Sequence, residues 1–195
     1  MTTSSATVAA PALLIDRLVP VADARVRTLL HVALGVVALA ALAQLRVVVG
    51  PVPITGQTLG VLLLAAVLGP VRGTATVAAY LAAGAAGLGV FSGGAAGLAA
   101  MGGATAGDLV GFVPAAWLVG TLAARGWARG SLATSAAMVL GHLVIYAFGL
   151  AWLSTLAPDL QTALAWGLWP FLLGDALKVG VAAALLPAAW RFARR

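Results

Sequence analysis

The stretch LWPFLLGDALKVG, Leu168 to Gly180, sets an aspartate and a lysine inside an apolar run that otherwise reads as a membrane span. A charge near the bilayer centre costs roughly 2.5 to 3.5 kcal/mol on insertion scales, so such residues face a cavity or a partner and are read first as functional. Asp175 and Lys178 stand three apart on one helix face, where each offsets the other's charge. They present an acceptor and a donor side by side, which suits a small polar ligand. The competing reading is a mutually neutralising structural pair. Pro170 and Gly174, just before the pair, allow the helix to break and open toward a cavity.

The rest of the chain fits a bilayer. Of its 195 residues 63% are hydrophobic and 8% charged, against about 25% charged in soluble domains. Several apolar runs reach the roughly 18 residues that span a membrane. Eleven Lys and Arg stand against five acids, all aspartate, for a net charge of +6. The basic residues are scattered at the ends of apolar runs instead of gathered on a polar face, which argues against nucleic acid and for topology signals. There is no cysteine to report on redox compartment. No P-loop motif occurs, so the chain is not itself an ATPase of that kind.

Taken in order, Met1 to Ser5 are polar, and Asp16, Arg17, Asp23 and Arg25 surround the short apolar piece Ala9 to Ile15. A basic n-region is missing, which argues against a secretory signal. A partly disordered tail and a short helix at the membrane surface are expected over residues 1–27, a six-helix transmembrane domain over 28–190, and a basic tail over 191–195. Span one covers about Thr28 to Val48, with Gly35, Ala38 and Ala41 as a close-packing face. Pro51 and Pro53 forbid regular helix in the next stretch, and Gly69-Pro70 end the helix that follows Thr55. About 14 helical residues remain, some 21 Å, too short to cross alone. The proline-containing piece must therefore dip toward the membrane, where irregular backbone is tolerated only if buried in protein or lining a cavity. Thr55 and Gln57 thereby reach a ligand site.

Span three covers about Thr74 to Val90. FSGGAAGLAAMGG, Phe91 to Gly103, is too glycine-rich for a stable helix and too apolar for a solvated loop, and reads as a packed loop or lid. Span four, about Ala104 to Ala123, opens with Asp108, which either favours the helix dipole from an end position or forms part of the polar wall. Span five covers about Leu132 to Leu153, and span six about Ala163 to Ala189. Arg17, Arg25, Arg27, Arg72, Arg125, Arg129, Arg191, Arg194 and Arg195 all fall on one side of this arrangement, and only Arg46 on the other. By the positive-inside rule both termini are cytoplasmic in a multi-pass protein of the inner (plasma) membrane. Counted from Ala163, Asp175 lies about 18 Å along span six, near the midplane.

The runs VPITGQTLGVLLLAAVLGPVRG (Val52 to Gly73), GLGVFSGGAAGL (Gly87 to Leu98), TAGDLVGFVPAAWLVG (Thr105 to Gly120), IYAFGLAWL (Ile145 to Leu153) and PFLLGDALKVGVAA (Pro170 to Ala183) resemble, in order and spacing, the successive motifs of BioY-type biotin transporters. These are the substrate-binding S components of energy-coupling factor (ECF) transporters. The resemblance implies a six-helix S-component bundle that captures biotin from outside. It also implies energisation by a transmembrane coupling subunit and two ATPase subunits, so that ATP enters only through partners. Asp108 stands where the family pattern has a tyrosine, and span one carries no strict AxxxA docking pattern.

Biotin offers a flat ureido ring with two N–H donors and one carbonyl, an apolar thioether ring and a carboxylate tail. On that resemblance Asp175 accepts from the ureido N–H groups, Lys178 donates to an oxygen, and Thr55 and Gln57 complete the polar contacts. Phe91 and Tyr146 are stacking walls or simple packing. Ser92 with Gly93 and Gly94 offers backbone N–H groups to the carboxylate. No cofactor or metal is called for. Partners are biotin, the lipid bilayer and the ECF subunits, with a homo-oligomer open. The alternatives weighed are an S component or secondary transporter for another small vitamin and, remotely, an intramembrane serine protease built on Ser92 and His142.

Overall fold

The computed structural model describes residues 13–19 and 23–193. Met1 to Ser5, most of the short apolar piece, Arg194 and Arg195 lie outside the described residues. The regular structure of the described residues is helical apart from one short ribbon, in the order α1 (Leu14–Leu18), α2 (Ala24–Gln44), β1 (Arg46–Val47), β2 (Ile54–Thr55), α3 (Gln57–Ala85), α4 (Gly97–Met101), α5 (Ala106–Ala124), α6 (Ser131–Leu153), α7 (Leu160–Gly167) and α8 (Trp169–Phe192). Helix α2, α3, α5, α6 and the run Leu160–Phe192 are each long and apolar enough to cross a membrane.

Local chemistry sets the element ends. Asp23 caps α2, its carboxylate accepting from the Arg25 and Val26 N–H groups at 2.8 and 2.9 Å, where it also favours the helix dipole. The proline-containing piece forms the connecting loop of an antiparallel ribbon in which Arg46 pairs with Thr55 and Val47 with Ile54. This is the one departure from an all-helical chain among the described residues.

Helix α3 contains the chain reversal expected between spans two and three. Gly69 has φ 80° and ψ 178°, a conformation glycine adopts without the Cβ penalty, and Pro70 supplies no N–H to continue the ladder. The arms on either side then lie against each other. Gln57 Nε2 is 2.8 Å from Tyr80 Oη, whereas 23 residues of unbroken helix would separate them by about 34 Å. A Cβ on Gly73 would stand 2.7 Å from Ala65 Cα.

Lipid is as apolar as leucine, so helices in a bilayer associate through close packing more than through the hydrophobic effect. Helix α5 is the centre of that packing, against α3 on one side and α6 on the other. Gly107 and Gly111, four apart, bring its backbone onto α6: a Cβ on Gly111 would meet Phe148 Cβ at 3.0 Å and Ile145 Cα at 3.2 Å. Gly120 meets the hairpin, with Pro70 Cα 2.7 Å from where its Cβ would be. Leu39, Val61, Leu62, Val77, Ala115 and Val119 are fully buried between these helices, while Leu29, Val37, Leu173 and Leu177 form an exposed apolar outside.

The break in the last apolar run falls at Leu168 (φ −127°, ψ −64°), with Pro170 in the first turn of α8, where a missing N–H costs no hydrogen bond. The count of 18 Å from Ala163 to Asp175 therefore runs across two separate helices and does not measure depth. Within α8, Asp175 lies six residues from Trp169, about 9 Å.

Candidate functional site

A cavity of about 200 Å³ opens among the ribbon, the first arm of α3, the Phe91 loop, α5, α6 and α8. The break before α8 turns Asp175 and Lys178 into it, and the Gly107/Gly111 packing brings α6 close enough for Tyr146 to reach across. Asp175 is buried and accepts the Tyr146 hydroxyl on Oδ2. Its other oxygen accepts from Lys178 Nζ at 2.7 Å. Lys178 Nζ also donates to Thr58 Oγ1 at 2.8 Å. An ammonium has three donors and a carboxylate about four lone-pair sites. One Lys178 N–H and part of the Asp175 acceptor capacity therefore remain for a ligand.

Of the expected residues, Asp175, Lys178, Thr55, Gln57, Phe91, Ser92, Tyr146 and Asp108 all line this cavity. Gln57 is more committed than its place in the sequence suggests. Its Nε2 donates to Tyr80 Oη at 2.8 Å and its Oε1 accepts the Thr55 hydroxyl at 3.1 Å. Tyr80 in turn donates to the Val90 carbonyl at 2.9 Å, so the network fixes the loop that carries Phe91. Phe91 is buried, edge-on to Tyr80 with ring centroids 5.5 Å apart. Asp108 sits in the first turn of α5 and against Gly149 of α6, where any Cβ would strike its carboxylate. It is both an end residue and part of the wall.

Gly93 and Gly94 of the glycine loop stand apart from the cavity lining that the other expected residues form. Gly93 is exposed and does not line the cavity; with φ 70°, it lies against the Arg46 guanidinium, which leaves no room for a side chain. The Gly94 N–H already donates to Gln44 Oε1 at 3.1 Å and to the Phe91 carbonyl at 3.0 Å. What this loop does present is Ser92, whose buried Oγ has no partner among the described residues.

Three residues at the site escaped the sequence reading of the pocket. Thr58 sits one turn from Thr55 and holds the lysine. Arg46 lines the cavity with no carboxylate against it among the described residues. His142 lies behind the pair: its Nδ1 donates to the Met138 carbonyl at 2.9 Å, and Nε2 lies 3.5 Å from Asp175 Oδ1. That position leaves it facing Asp175 instead of Ser92, and no hydrogen bond joins His142 to Ser92 among the described residues. A second, apolar crevice between α6 and α8 is also lined by His142, Tyr146 and Asp175.

An apolar helical bundle enclosing a cavity with a hydrogen-bonded acid and base, Asp175 and Lys178, in its wall fits a membrane-embedded binding protein for a small polar molecule. The fold agrees with a solved protein described as the S-component for biotin from an ECF-type ABC transporter, with a TM-score of 0.74 and 26% identity over 86% of this chain and 92% of that one. The class is thus the S components, multi-pass membrane proteins of transporters. The sequence is 40% identical to a biotin transporter BioY of Rhizobium etli over 77% of this chain and 84% of the relative. It is 36% identical to a biotin transporter BioY of Thermotoga maritima over 72% and 82%. The BioY family profile matches residues 13–195. The chain belongs to the BioY family.

Proposed function

We propose that this chain binds biotin in the cavity over Asp175 and Lys178 and serves its uptake as the S component of an ECF transporter. The observation that carries the reading is the donor and acceptor set side by side on α8, each with hydrogen-bonding capacity to spare, in a cavity that Asp108 and Arg46 also line, Arg46 with no carboxylate against it among the described residues. The ureido ring matches the pair: its N–H groups donate to Asp175 and its carbonyl accepts from Lys178. Phe91, Leu109, Phe112 and Phe171 supply apolar wall for the thioether ring and the chain. The carboxylate tail then meets Arg46 and the free Ser92 hydroxyl.

The hairpin in α3 supports counting its two arms as separate crossings, which gives six spans. Arginine asymmetry then sets both termini in the cytoplasm of a plasma-membrane protein. Residues 1–27 form its cytoplasmic tail and surface helix, 28–190 the membrane domain and 191–195 a basic tail. A coupling subunit and two ATPase subunits supply the energy, since this chain carries no P-loop.

Calorimetric titration of the purified protein with biotin, thiamin and riboflavin tests the ligand. One biotin site per chain is expected, without ATP or metal. Binding of thiamin or riboflavin and not biotin would keep the class and overturn the ligand.

A further inference from the structure

The five aspartates of this chain are all engaged away from most of its arginines. Asp108 and Asp175 line the cavity, and Asp23 and Asp159 cap α2 and α7. Asp16 is held by Arg72 in two hydrogen bonds of 2.8 and 2.6 Å, with Arg27 at 3.6 Å. Arg17 and Arg129 therefore have no carboxylate partner among the described residues, yet the fold brings them to one side chain. The Arg129 guanidinium lies 4.9 Å and that of Arg17 5.8 Å from the ring centroid of Trp190. Both are within cation–π reach, about 6 Å. Arg17 comes from α1, Arg129 from the turn between α5 and α6, and Trp190 from the last turns of α8, so three distant segments converge here.

Trp190 is buried, at 4% exposure, and holds the cluster in place, while both arginines are exposed. Two like charges beside one ring repel each other, and an anion between them relieves that repulsion. Next to the arginines along the chain the surface is apolar: Leu18, which follows Arg17, and Leu132, three residues after Arg129, are exposed at 41% and 86%. Cationic heads at the end of a membrane helix with exposed hydrocarbon surface beside them match a phospholipid, whose phosphate is anionic and whose chains are apolar.

We propose that Arg17 and Arg129, organised by Trp190, form a binding site for the headgroup phosphate of an anionic phospholipid, with its acyl chains along Leu18 and Leu132. Lipid bound there ties α1 to the end of α8, which Arg17 reaches through the Ala193 carbonyl at 3.5 Å. The site is separate from the biotin cavity and does not rest on its ligand.

The test uses the full chain purified in detergent, with phosphatidylglycerol and phosphatidylcholine added in equal amounts. Native mass spectrometry should retain phosphatidylglycerol in preference, and that lipid should raise the melting temperature more than phosphatidylcholine does. In R17Q/R129Q the preference should fall by about tenfold, the scale of one to two interfacial charges, with biotin affinity unchanged. R125Q, which removes a third exposed arginine with no ring beneath it, should keep the preference. No phosphatidylglycerol preference in the unsubstituted protein would overturn the proposal. So would an equal loss in R125Q, or a melting shift reproduced in full by millimolar inorganic phosphate, which would point to a free anion. Stabilisation lost only in the presence of an added coupling subunit would assign the arginines to a protein partner and overturn the lipid site.

Discussion

Tyr146 on α6 donates its hydroxyl to the same Asp175 carboxylate on α8 that Lys178 holds from one turn further along. The charged pair is thereby pinned across two helices and not merely along one. A hydrogen bond to a charged group contributes about 1.5 to 3 kcal/mol. Tyr146→Phe should lose a stabilisation of that size, read as a lower melting temperature of the ligand-free protein. An unchanged melting temperature would mean that the bond carries no weight in the folded state.

The helix contacts predict where size is not tolerated. Gly111→Ala and Gly120→Ala place a methyl group against the Ile145 and Pro70 backbones, and overpacking of this kind costs about 1 to 3 kcal/mol. Both should melt early in detergent. Gly180→Ala, inside α8 with nothing within 4 Å of the new carbon, is the matched control and should not.

At the opposite end of the chemistry from the cavity, Asp16 predicts a pH effect. The Arg72 hydrogen bonds, with the charges of Arg72 and Arg27, hold its carboxyl below the usual carboxylate value. A group whose folded value is depressed contributes stability above the unfolded value, about 3.9, and loses it as pH falls through the folded value. Melting temperature should therefore drop below about pH 4, and Asp16→Asn should be less stable at pH 7 and flatter across that window. Parallel curves for the two proteins would contradict this.

Arg46 predicts a discrimination between ligands. If it meets the tail carboxylate, Arg46→Gln should weaken biotin by roughly threefold to tenfold, as for a partly solvated charged contact. Biotin amide, which has no charge there, should bind both proteins alike. Equal losses for acid and amide would place the tail elsewhere.

Much of this was legible in the sequence because membranes make polarity expensive. Asp175 and Lys178 stood out in an apolar run, and Gly69-Pro70 marked the reversal that the Gln57 to Tyr80 contact closes. The ribbon was not legible, since two residues on each strand leave no periodicity. Nor was the site of the last helix break: Pro170 and Gly174 indicated one, but Leu168, which carries it, has no special chemistry. Two features of the site depend on contacts between distant parts of the chain. Gln44 takes the Gly94 N–H from 50 residues away, and His142 reaches Asp175 across 33 positions, so only the packed helices reveal them. Arg46 was visible, but the same charge served the topology reading, and nothing local said that it faces inward.

The most direct test is the biotin affinity of the double variant Asp175→Asn with Lys178→Met, measured beside its two parents. Asp175→Asn alone keeps the shape but loses charge-assisted bonds of about 1.5 to 3 kcal/mol, so affinity should fall roughly tenfold to a hundredfold. Lys178→Met, which also strands the carboxylate, should cost at least as much. The double variant removes both charges of the pair, and if the pair were structural it would regain stability and binding together. The double variant should be a folded protein that no longer binds biotin; restored affinity would contradict a ligand-binding role for the pair.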